Sequence, residues 1–346
     1  MPSSIPRSRS RRGASFVLAA LLAAAGALAD DRPVGTPSPA TRAPAALPSP
    51  PPAADATSGR WALEVGQSSV FDSNIDHDVP ARRDYGIVFM GAAGWRNRVL
   101  KPSLAFRYEA ALHRYADSPR WDRLSHRAEA SLEKRLGKRL TTETRAEVSL
   151  KGSSEDRELS NQYTILEQLD FRIVRGLELR LLGLARLKRY PAPDQDRNAT
   201  NAYAGTALRA RLRGARLELG SRYEDNAARA DRRDYKRWVH AAELAAPLGR
   251  RDLVDLEVKL YDQLYPFREV EDGPAEGDLR LDRRVVASVS WLHRFRDDLG
   301  LEVAYKHERR TSNDPDKGFD AHQVGVSFQY RFERPRFLNP EAAPPR

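Results

Sequence analysis

Residues 323–332 read QVGVSFQYRF. In an extended chain, Val324, Val326, Phe328, Tyr330 and Phe332 project to one side. Gln323, Gly325, Ser327, Gln329 and Arg331 project to the other. One face is apolar and ends in aromatics; the other is polar. The same alternation recurs over most of the chain, behind a secretion signal. Together these features predict a closed barrel with lipid outside and water or polar side chains inside.

Working outward from that strand, the segment 61–332 divides into about fourteen strands. The first is expected at 61–70 and the second at 85–96. In the third, Leu104, Phe106, Tyr108, Ala110 and Leu112 alternate with Arg107, Glu109 and His113. Later pairs meet across minimal turns: 161–174 and 177–188 across Arg175-Gly176, 201–213 and 215–223 across Gly214. Short connections of roughly two to six residues alternate with long ones of roughly eight to twenty. An even count returns both ends to the periplasm, with the short turns on that side. Glu167 interrupts the apolar face of Tyr163, Ile165, Leu169 and Phe171, so a bulge or register shift is expected there.

Two aromatic girdles are expected. Trp95, Trp291, Phe295, Tyr330 and Phe332 belong to the periplasmic ring, and Tyr115, Trp121, Tyr190, Tyr223, Trp238 and Tyr265 to the outer ring. The competing reading is a soluble helical protein, since 127–140 and 207–219 are rich in good helix formers. The period of two and the aromatic strand ends argue against it.

Composition agrees with the barrel. The mean hydropathy of −0.64 is that of a soluble protein, but half of every barrel strand is polar. The absence of Cys excludes disulfides and thiolate chemistry. Residues 1–29 form a signal peptide: Arg7, Arg9, Arg11 and Arg12, then the apolar run 15–28, then Ala27-Leu28-Ala29. That run of about 14 residues is too short to span roughly 30 Å as a helix. Gly13-Ala14 follows the Arg pair, which favours ordinary export over the twin-arginine route. Cleavage removes four of the ten net positive charges and leaves +10 − 4 = +6. Residues 30–60 are a disordered Pro/Ala-rich periplasmic tether, and 333–346 a periplasmic tail.

The inward faces are heavily charged. Arg107, Glu109, Arg145, Glu147, Arg180, Arg186, Arg209, Arg211, Arg216, Glu218, Lys259, Arg284, Lys306 and Arg331 are expected to line the lumen. One reading is a hydrated, charge-laddered wall. The other is a conduit for a polar or anionic substrate, tracked by Arg180, Arg186, Lys188, Arg209 and Arg211. Nucleic acid is not needed to explain the positive charge, because lipopolysaccharide or a lumen accounts for it.

Candidates for chemistry are weak. The oxygens of residues 72–78 (DSNIDHD) resemble the start of a calcium loop, but His77 replaces the required Gly and Arg83 the closing Glu. Residues 313–318 (NDPDKG) read as a turn. Ser73 with His77, or His307 with Ser312 and Asn313, offers nucleophile and base types for a rim hydrolase. His113, His126, His240, His293 and His322 show no ligand spacing. No catalytic residue, cofactor or metal is assigned.

Phe71-Asp72-Ser73-Asn74-Ile75, the stretch 305–314 (YKHERRTSND) and the closing Tyr330-Arg331-Phe332 carry a resemblance. They resemble proteobacterial outer-membrane barrels, namely the barrel of surface lipoprotein assembly modifiers and barrels encoded with exopolysaccharide export systems. The resemblance implies a conduit for polysaccharide or a lipoprotein segment, in a Gram-negative outer membrane. It also implies that Phe328, Tyr330 and Phe332 form the signal read by the barrel assembly machinery. The modifiers carry a periplasmic helical-repeat domain ahead of the barrel, where this chain has the tether. The alternative function is a plugged scaffold whose outer loops bind partners.

Overall fold

The computed structural model describes residues 60–75, 82–97, 102–153, 160–191, 194–212, 214–271 and 275–333. The expected signal peptide, nearly all of the tether and the tail lie outside these residues, as does His77.

Fourteen strands form one antiparallel closed barrel. They are β1 (Arg60–Asp72), β2 (Asp84–Asn97), β3 (Ser103–Tyr115), β4 (Arg123–Arg135), β5 (Leu140–Ser153), β6 (Asn161–Val174), β7 (Leu177–Arg189), β8 (Ala199–Leu212), β9 (Ala215–Ala228), β10 (Tyr235–Pro247), β11 (Asp252–Glu269), β12 (Leu279–Arg294), β13 (Leu299–Ser312) and β14 (Phe319–Glu333). Each strand pairs with its sequence neighbours, and β14 pairs with β1 from Ala62↔Glu333 to Asp72↔Gln323. Closure leaves no open edge, which a barrel in lipid requires.

The alternation sorts side chains as the period of two demands. Val65, Phe89, Phe106, Leu181, Leu219, Leu260, Val326 and Phe328 are among the large apolar residues exposed on the outside. The helix-rich stretches 127–140 and 207–219 form antiparallel strands. Non-local pairing overrides their helix propensity.

Three expectations need correction. First, the long connections are shorter than expected, from six residues (229–234) to eleven (73–83). The strands run beyond the expected ends on that side, and several links are drawn in by single 3-10 turns at 119–121, 194–196, 231–233 and 315–317. Second, Glu167 causes no register shift. It stays on the outward face, paired in unbroken ladders with Thr144 and Gly183. The irregularities fall instead at Arg172/Val174 and at 264–269 in β11, where Pro266 cannot donate to the ladder.

Third, the outer aromatic ring has different members. Tyr223 and Trp238 pack in a tilted pair on the outside at 5.2 Å, as do Phe71 and Tyr85 at 4.9 Å. Tyr115 lies over Gly86 inside the barrel, where a Cβ on Gly86 would meet its ring at 2.8 Å. Tyr190 is buried, and the Tyr265 ring lies inside under the Arg280 guanidinium. At the short-turn end, Trp95 packs on Phe106, and Tyr330 on Phe332. Residues 72–75 form a latch at the β1–β14 seam. Asp72 Oδ1 accepts from the Asn74 N–H at 2.9 Å, the Ser73 N–H donates to the His322 carbonyl, and Ser73 Oγ accepts from the His322 N–H.

Candidate functional site

The barrel interior is the candidate site. A strand delivers every second residue to it, and the register decides which charges meet. The expected lining residues, Arg107, Glu109, Arg145, Glu147, Arg180, Arg186, Arg209, Arg211, Arg216, Glu218, Lys259, Arg284, Lys306 and Arg331, all fall on inward positions of their strands. Most are engaged. Arg107 donates to Glu64 at 2.8 Å, Arg145 to Glu143 at 2.8 Å, and Arg127 to Glu147 at 2.7 Å. Lys259 pairs with Glu257 at 2.7 Å, Arg284 with Glu308 at 2.7 Å, and Arg216 with Glu243.

The expected arginine track splits in two. In the half nearer the short turns, Glu178 faces Arg209 and Arg209 faces Glu218 in register. Arg180 therefore bonds Asp170 at 2.8 Å and Glu218 at 3.2 Å, Arg209 bonds Glu218 at 2.9 Å, and Arg211 lies 3.6 Å from Glu178. Those arginines are balanced. In the outer half of β7 to β10, four cations (Arg186, Lys188, Arg222 and Arg237) share one described inward carboxylate, Glu224.

Glu224 is 2% exposed and accepts from Arg222 Nε at 2.8 Å and Arg237 Nε at 2.6 Å. Lys188, 3% exposed, donates to Asn226 Oδ1 at 3.2 Å and lies 5.8 Å from the Tyr235 ring centre. Arg186 donates to Thr164 Oγ1 at 3.3 Å. Tyrosine faces also flank the two arginines that bond Glu224. Arg222 lies over Tyr203 at 5.0 Å, and Arg237 sits between Tyr235 and Tyr261 at 5.1 and 5.3 Å.

Lys188, Glu224 and Tyr235 in this basic tier are buried, whereas Arg211 and Arg216, beside the short turn at Gly214, have side chains 60% and 41% exposed. The interior thus has a water-accessible vestibule on β8 and β9 beneath a cation-rich tier with a packed centre. Sequence reasoning missed Glu224, Tyr235 and Arg237 in this tier. Their alternation was readable, but their convergence depends on the register of β9 against β10, which sets Arg237 opposite Glu224 and Tyr235 opposite Asn226.

The remaining candidates disperse. His307 points outward and Ser312 inward, where its Oγ donates to Asp282 at 2.7 Å, so they make no nucleophile–base pair. Asn313 accepts from the Leu281 N–H and holds the β13–β14 turn. Asp72 points inward and is hydrogen-bonded to Gln323 and the Asn74 N–H, a latch and not half of a calcium cage. Phe328, Tyr330 and Phe332 face outward on β14, opposite Gln67, Val65 and Leu63 of β1.

The sequence matches no protein-family model and no curated protein. Among solved structures, the chain is similar to a loop-deletion form of OmpT, an outer membrane protein of Vibrio cholerae. The TM-score is 0.51 at 9% identity, over 80% of this chain and 100% of that one. It is also similar to an anion-selective porin from Comamonas acidovorans (TM-score 0.48, 9% identity, covering 80% and 99%). The outer membrane channel DcaP of Acinetobacter baumannii is similar as well (0.48, 8%, covering 79% and 97%). At these identities the likeness is one of fold, and the fold is that of the outer-membrane β-barrels.

Proposed function

We propose that this protein spans a Gram-negative outer membrane, between lipid and lipopolysaccharide, and passes a polar, anionic substrate through the barrel without transforming it. The observation that carries this reading is the arrangement of four cations around Glu224 above a hydrated vestibule. A low-dielectric wall with excess positive charge attracts anions and repels cations. Acidic polysaccharide is the first cargo to test. A lipoprotein segment is the second, as the sequence resemblance to export-associated and assembly-modifier barrels suggests. The assembly machinery would read Phe328, Tyr330 and Phe332 at insertion.

The test is conductance of the full chain in planar bilayers under a salt gradient. We expect anion-selective channels. The double substitution Arg186→Glu with Lys188→Glu is expected to reverse the sign of the reversal potential. Arg209→Glu, in a balanced ion-pair ladder, is expected to move it much less. Equal effects of the two changes refute the assignment of selectivity to the outer tier.

The close packing of Lys188, Glu224 and Tyr235 favours one other reading, a plugged scaffold whose outer loops bind partners. Absence of conductance, persisting after loops are shortened, decides for the scaffold.

A further inference from the structure

We propose that His307, Asp320 and His322 bind a divalent first-row transition ion of the zinc, nickel or copper class on the outside of the barrel, at its outer rim. His307 on β13 and His322 on β14 are direct register partners. Asp320 precedes His322 by two residues and so projects from the same face. The side chains of all three are partly exposed, at 32%, 50% and 49%.

The geometry is that of a ligand set. Both imidazoles present Nε2 to one oxygen: His307 Nε2 lies 2.8 Å from Asp320 Oδ1, and His322 Nε2 lies 3.5 Å from the same atom. The ligand atoms of the three residues all lie within 4.8 Å of one another. Metal bonds of ~2.0–2.1 Å place neighbouring ligand atoms roughly 2.9–3.4 Å apart in octahedral or tetrahedral geometry. The two imidazoles stack with centroids 4.8 Å apart and planes 11° apart, so one ring must turn out of the stack for both Nε2 lone pairs, which lie in the ring planes, to meet one ion. Two imidazoles and one carboxylate suit zinc, nickel and copper, and discriminate against the all-oxygen preference of calcium and magnesium.

A second observation comes from the ring nitrogen not used for binding. His322 Nδ1 lies 2.8 Å from the Tyr305 hydroxyl, and the Tyr305 and His322 rings stack at 6.1 Å. With the proton on Nδ1, donated to Tyr305 Oη, Nε2 is left bare and aimed at Asp320. Such a partner fixes tautomer and orientation in metal sites. The backbone is held too, since the His322 N–H and carbonyl both bond Ser73 at the β1–β14 seam. An ion there would clip β13 to β14 beside the closing seam. Arg309, the register partner of Asp320, opposes it by placing a positive charge on the same face.

The test is titration of the untagged, detergent-folded full chain with Cu²⁺, read by electron paramagnetic resonance. We expect one saturable site per chain with hyperfine coupling from two nitrogens. His307→Gln and His322→Gln, exposed changes that keep the folded gel mobility, should each weaken binding at least tenfold. Tyr305→Phe should weaken it roughly tenfold through lost orientation, and Arg309→Ala should tighten it. His126→Gln, also on the lipid face, should leave it unchanged. Absence of a stoichiometric site overturns the proposal. So does a site that survives both His307→Gln and His322→Gln.

Discussion

Replacing Glu224 by Gln keeps the shape of the side chain and removes its charge. Glu224 is 2% exposed and accepts charge-assisted hydrogen bonds from two guanidiniums, Arg222 at 2.8 Å and Arg237 at 2.6 Å. Each such bond contributes roughly 1.5–3 kcal/mol. Removing one partner of a buried ionic group leaves the other charges without compensation, at a cost of about 3–5 kcal/mol. Here two arginines would lose their carboxylate, with Arg186 and Lys188 close by on β7. We therefore expect Glu224→Gln to lower unfolding free energy by about 4 kcal/mol, roughly a thousandfold in the equilibrium constant. The assay is urea unfolding of the refolded barrel in liposomes, followed by tryptophan fluorescence and by mobility of unboiled samples. The variant should also bind anions more tightly at the tier, which appears as a larger reversal potential. A loss below about 1 kcal/mol refutes the reasoning, because it means that water screens this tier as it does a surface pair.

Two further perturbations probe the wall from each side. Glu167 occupies the middle of β6 on the lipid face, paired with Thr144 and Gly183. An ionisable side chain at the bilayer midplane is unfavourable, less so for Glu than the ~2–4 kcal/mol of Arg or Lys. Glu167→Leu should thus stabilise the barrel in bilayers by about 1–2 kcal/mol in the same unfolding assay. On the inner face, a Cβ on Gly205 would meet Arg222 Cβ at 2.5 Å and the Ser221 carbonyl at 2.8 Å. Gly205→Ala should cost about 1–3 kcal/mol and should do so non-additively with Glu224→Gln, since both disturb Arg222. Gly94→Ala, also on the inner face and meeting the Phe106 carbonyl at an ordinary 3.6 Å, is the matched control and should be near neutral.

The class of fold was legible from the chain itself, for a local reason. A strand's period of two is written in consecutive residues, so QVGVSFQYRF displays its lipid face and its lumen face without reference to any other segment. The strand count, the alternation of short and longer links and the closing role of β14 follow from that period repeated. What registers against what is not local. Tertiary structure alone brought Glu224, Arg237 and Lys188 into one tier, and balanced Arg180 and Arg209 with carboxylates from neighbouring strands. It separated His307 from Ser312 onto opposite faces. It also set His307 beside His322, fifteen positions apart in sequence (322 − 307 = 15), because a cross-strand neighbour is defined by hydrogen-bond register and not by spacing.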